Sequence, residues 1–184
     1  NNQSGQIATT DAKKLDLAIQ QEIDNTQGLI KSDSTLNIVS ASVTNNAGVI
    51  SSKDHLTLNH SALLTNQKGL INSQKDLNIQ GVDVDNSQGE ISSTGNLSLD
   101  TQMQKLNNQQ GVIGNASGTL SLSTGEINND AGLIQSAGDL SLDTHHQNLI
   151  NTNTNVEQAK GILVQGNSNF SSANLDNTSG VLSI

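Results

Sequence analysis

Asn151, Thr152, Asn153, Thr154 and Asn155 form a run of uncharged amides and hydroxyls, groups suited to hydrogen-bonding a glycan or a protein surface from a loop. They are the strongest binding candidates in the chain. Histidines come next. His145 and His146 are adjacent, so on a strand they point to opposite faces. His55 and His60 have no carboxylate cluster beyond Asp54, which gives a poor metal set and favours solvated surface histidines. The acids are dispersed near turn residues, as with Asp83 and Asp85 or Asp139 and Asp143. Hydrolysis of a glycosidic bond needs a facing carboxyl pair, and a Ca²⁺ site needs an oxygen cage. All 8 cations are Lys, so no bidentate guanidinium clamp exists. These features predict no enzyme, no cofactor and no metal site.

Composition narrows the partners. Net charge is −9, with 17 acidic residues against 8 Lys, which disfavours nucleic acid and anionic membrane surfaces. Hydrophobic residues make up 32% and aromatics 1%, with Phe170 the sole aromatic, so the usual anchors of ligand pockets and partner hot spots are missing. No run reaches the ~20 apolar residues of a transmembrane helix. Cys is absent, which excludes a disulfide framework and thiolate metal sites.

The elements that would carry these residues follow from a repeat. Gly5, Gly28, Gly48, Gly69, Gly89, Gly111, Gly132 and Gly180 each stand three residues after an asparagine: Asn2, Asn25, Asn45, Asn66, Asn86, Asn108, Asn129 and Asn177. An aliphatic follows each glycine by two positions, as Ile50, Ile71 and Ile91 do. Leucine pairs spaced by two, such as Leu97 and Leu99, place both side chains on one face of a strand. A further aliphatic precedes each glycine from Gly28 onward by five, as Leu64 and Val84 do. Three short strands and three bends in roughly 20–23 residues predict one turn of a solenoid. The fold class expected is all-β, a right-handed parallel β-helix of about eight to nine coils spanning residues 1–184 as one segment.

The asparagine column reads as a stacked ladder that supports the bends, and glycine and asparagine as the residues that accept positive φ there. The segment "DAKKLDLAIQQEID" looks helical but supplies Leu15, Leu17 and Ile23 in phase, so it is read as another coil. One coil is irregular. Seven residues separate Ile127 from Ile134, whereas fourteen separate Ile150 from Val164, so an insertion loop of about seven residues is expected near 151–161.

The unit "DNSQGEISSTGNLSLD" resembles the repeats of filamentous haemagglutinin and its relatives, the exoproteins of bacterial two-partner secretion, including contact-dependent growth inhibition effectors. The resemblance covers most of the chain. It implies a β-helical shaft on a secreted or cell-surface exoprotein, exported by an outer-membrane secretion partner and meeting a receptor or glycan on a host or neighbouring cell. With no Pro, the chain lacks that family's Asn-Pro-Asn secretion motif, and it has no Val-Glu-Asn-Asn toxin boundary. An interior piece of shaft is therefore expected. The alternatives are a glycan- or receptor-binding segment acting through the 151–161 loop, and a self-assembling subunit of the functional-amyloid kind.

Overall fold

The computed structural model describes residues 1–184 apart from the side chain of Val156. The chain winds into a parallel β-solenoid of about 8 turns with about 21 residues per turn. Leu70–Ser73, Leu77–Gln80 and Val84–Asp85 make one regular coil. The first strands of successive coils hydrogen-bond into a nine-stranded sheet, and the second and third strands into a fourteen-stranded one. In the early coils those two segments run together, as Leu15–Asp24 and Leu36–Thr44, with a bulge between Ile19 and Glu22. The helix-like stretch is thus strand, because its leucines pair with the coil above: Leu15 with Leu36 and Leu17 with Ile38.

Like stacks on like. Ile50, Ile71, Ile91, Ile113 and Ile134 are successive partners in one ladder, and each side chain is buried. Strand alternation turns these residues inward with Leu77, Ile79 and Leu64 and their counterparts, giving one continuous aliphatic core. No coil can bury this face alone. Its neighbours complete both the apolar contacts and the backbone ladder.

Each bend adds an inward polar column that satisfies its own backbone. At the first bend it is asparagine. At the second it is serine: Ser32 Oγ donates to the Thr35 carbonyl at 2.9 Å and Ser136 Oγ to that of Asp139 at 3.0 Å. At the third, Thr124 and Thr144 are fully buried and donate to the carbonyls of Gly125 and Gln147. The threonine column was not anticipated from the sequence.

Two expectations need correction. Positive φ falls not on the glycine of the Asn-x-x-Gly bend but on the residue before it: Gln27, Ala47, Lys68, Gln88, Gln110 and Ala131 lie between 52° and 58°. The glycine is needed for space instead. A Cβ on Gly69 would sit 2.1 Å from the Asn45 carbonyl oxygen of the coil below and 2.5 Å from Asn66 Oδ1. His60, expected at the surface, is 5% exposed. Its ring occupies the space left by Gly81, whose Cβ would come within 2.4 Å of three ring atoms.

Candidate functional site: the asparagine ladder and the 151–161 excursion

The asparagines of the first bend form one hydrogen-bonded chain along the solenoid. Asn25 Nδ2 donates to Asn45 Oδ1 at 2.7 Å, Asn45 to Asn66 at 2.7 Å and Asn66 to Asn86 at 2.8 Å. From Asn2 to Asn108 each amide also donates to the carbonyl of its own bend glycine and to the next coil's first strand, as Asn66 does to Gly69 at 3.2 Å and Glu90 at 3.0 Å. The side chain therefore closes its own bend and pins the coil above in register. Burial makes the arrangement stringent, since an unpaired amide here would lose its water without replacement.

The chain of amides continues from Asn129 to Asn151 at 2.8 Å and from Asn151 to Asn177 at 2.7 Å. Asn151 is fully buried and belongs to the ladder, withdrawn from any contact surface. The sequence hid this membership because Thr154, not glycine, stands three residues on. Thr154 is also buried, and its Oγ1 accepts the Val181 amide at 2.6 Å.

Register fixes the extent of the irregularity. Leu149, rather than Ile150, pairs with Ile127, and Ile162, rather than Val164, pairs with Ile134. Thirteen residues thus separate Leu149 from Ile162 where seven separate Ile127 from Ile134, an excess of six rather than seven. Joining Thr154 directly to Gly161 would give Asn-Thr-Asn-Thr-Gly-Ile, a bend of regular length with threonine in the glycine place. The excursion is residues 155–160. It contains one 3₁₀ turn, Val156–Gln158, closed by the Asn155 carbonyl, which accepts the Gln158 and Lys160 amides at 3.1 and 2.9 Å.

The five candidate residues separate accordingly. Thr152 Oγ1 and Asn153 Nδ2 both donate to Asp130 Oδ1, at 2.8 and 2.6 Å, tying the base of the excursion to the coil below. Those bonds, Asn153 first and then Thr152, hold the Asp130 carboxyl below its ordinary pKa. Asn153 and Asn155 are exposed, with Glu157, Gln158 and Ala159 beside them. The accessible surface of the excursion therefore includes a carboxylate that the uncharged Asn/Thr run did not foreshadow.

The remaining concavities are open and shallow. One of about 450 Å³ runs along the first bend past Gln27, Ala47, Lys68 and Gln88, and presents amides rather than an acid–base pair. Among the described residues no group of three or more His, Asp or Glu side chains converges as a metal set. His55 lies 3.3 Å from Asp76 at the surface, and His145 Nδ1 meets the Thr124 carbonyl at 3.0 Å. Among the described residues no helix is long and apolar enough to cross a membrane.

The fold is thus a parallel solenoid built by repetition, its bends pinned by an amide ladder. The haemagglutinin repeat matches residues 1–68, 56–102, 104–155 and 142–184, and the chain belongs to the haemagglutinin repeat family. Members of that family are structural, adhesin-type β-helices typical of secreted or cell-surface exoproteins. No curated protein and no solved structure matches the chain.

Proposed function

We propose that this chain is a length of shaft in a secreted or surface exoprotein, holding adhesive or toxin modules away from the producing cell during adhesion or contact-dependent inhibition. The observation that supports this reading most directly is the amide ladder. It runs from Asn2 to Asn177 through every coil, including the irregular one, so the rod's register survives its single insertion. A continuous register is what a spacer needs. Export through an outer-membrane partner is compatible with a chain that contains no Cys and folds by adding each coil to the one before.

A second reading assigns direct recognition of a receptor or glycan to the excursion, favoured by the exposure of Asn153 and Asn155 on a rigid support. Glycan-array and cell-binding assays on this chain and on a variant lacking residues 155–160 separate the two. The shaft reading expects no binding by either protein. Binding by the native chain that disappears with the excursion would replace it with the second reading.

A further inference from the structure

One face of the solenoid carries aliphatic side chains on its outside. Along the nine-stranded sheet the first outward position is occupied in vertical succession by Leu29, Val49, Leu70, Glu90, Val112 and Leu133. The aliphatic members are half-buried, while Glu90 is exposed. The equivalent outward position on the second strands is polar, with Asn37, Thr57, Asn78, Ser98, Ser121 and Ser141 in register. A chain with only 32% hydrophobic residues thus places five of them in a line facing solvent on one sheet and none at the matching line of the other. Water does not favour such a stripe, whereas a second apolar surface does.

The same face carries two charges within these six coils. Lys31 lies two residues beyond Leu29 on its strand, and Glu90 stands in the aliphatic line three coils away, about 14 Å along the rod. Both are exposed, and neither is in an ion pair among the described residues. The second outward line is otherwise small or neutral, with Ser51, Asn72, Ser92, Gly114 and Gln135, so it does not hold a partner off.

We propose that this face docks a second copy of the chain, face to face and antiparallel. A twofold axis along the strand direction, midway between the coils of Val49 and Leu70, lays Val49 of each copy over Leu70 of the other. It also brings Lys31 of each copy to the coil of Glu90 in the other, making two identical ion pairs, as an isologous interface requires. A parallel twofold would instead set Lys31 near Lys31 and Glu90 near Glu90. The charge pattern therefore selects the antiparallel arrangement and disfavours the parallel one. About this axis the overlapping coils run from that of Gln6 to that of Val112, with Leu29 opposite the Glu90 coil, Val112 opposite the Gln6 coil and Leu133 beyond the contact. Six coils of a four-residue strand offer roughly 400 Å² per copy, about half of a standard interface. The dimer is accordingly weak, and it matters where copies are concentrated side by side on a surface.

Sedimentation equilibrium of the chain from about 10 μM to about 1 mM reads the dissociation constant directly. A monomer–dimer equilibrium is expected within that range. Lys31→Glu and Glu90→Lys should each weaken it about tenfold, because symmetry breaks two pairs at once. Carrying both changes in the same chain should restore it, since the exchanged charges again face each other across the axis. Leu70→Asp should abolish it while leaving the circular dichroism spectrum and thermal midpoint near those of the native chain. A monomer at every concentration overturns the proposal. So does a doubly exchanged chain that associates no better than the single variants, and so does open-ended association that ignores both charges, which would mark stacking through sheet edges instead.

Discussion

Asn66→Ala tests the ladder where it is best formed. The Asn66 side chain accepts from Asn45 at 2.7 Å and donates to Asn86 at 2.8 Å, Glu90 at 3.0 Å and Gly69 at 3.2 Å, and it is fully buried. The carbonyl of Gly69 and the amide of Asn45 retain other partners: the Glu90 amide on one side, Gly48 and Leu70 carbonyls on the other. Asn86 Oδ1 loses the donor that faces it. With hydrogen bonds worth about 1 kcal/mol net and a buried orphan costing about 1 to 3 kcal/mol, the expected loss is about 3 kcal/mol. Urea titration followed by far-ultraviolet circular dichroism should show a lower midpoint. The slope should stay constant or fall as the solenoid divides into two cooperative blocks at the weakened coil. The control is Asn177→Ala. This exposed member donates to Gly180 and accepts from Asn151, and its loss should cost about 1 kcal/mol or less. An unchanged midpoint for Asn66→Ala, or equal costs at the two positions, would refute the argument that burial gives the ladder its strength.

At the same bend, Gly69→Ala should cost about 3 kcal/mol or more by driving a methyl into the Asn45 carbonyl, whereas Lys68→Gly should be neutral or stabilise by up to about 1 kcal/mol by relieving a φ of 57°. Thermal midpoints of the two variants, moving in opposite directions, check the reassigned role of the glycine. Burial holds the His60 imidazole below the ordinary histidine value of 6.5, opposed by the hydrogen bond of Nδ1 to the Ala62 carbonyl, and no charged side chain contributes. Nε2 has no partner, so a second ring proton would be buried unpaired. The unfolded chain then binds the proton more readily, and the stabilisation is present above pH 6.5 and lost as pH falls from there toward the folded-state value. Urea midpoints across that interval should decline for the native chain and stay flatter for His60→Leu. Deleting residues 155–160 together with Thr154→Gly should leave the circular dichroism spectrum intact and change stability by no more than about 1 kcal/mol, because the join then restores Asn-x-x-Gly and loop length is thermodynamically inexpensive. The deletion alone leaves a Cβ in the glycine place and should cost about as much as Gly69→Ala.

Much of this was legible from the residues alone, for a definite reason. In a solenoid each coil contacts only its neighbours, so the period-two step from Leu97 to Leu99 and the recurrence of Asn-x-x-Gly specify strand, face and partner together. Ile50, Ile71 and Ile91 stand at the same phase of the repeat, so coiling at that period sets them one above another. The same logic carried the helix-like segment correctly, since Leu15 and Leu17 stayed in phase. It failed where identity and phase parted. Thr154 in the glycine place concealed Asn151 as a ladder member, and the offsets of Leu149 from Ile150 and of Ile162 from Val164 set the excess at six residues, 155–160.

The sequence by itself determined the solenoid, its period and its aliphatic interior, because those depend only on repetition and on which side chains water excludes. Tertiary structure alone decided two things. It moved the strained φ to the residue before the glycine and buried His60 over Gly81. Each turns on which atoms of the next coil lie within a few ångströms, a vertical proximity that the order of residues along one coil does not contain.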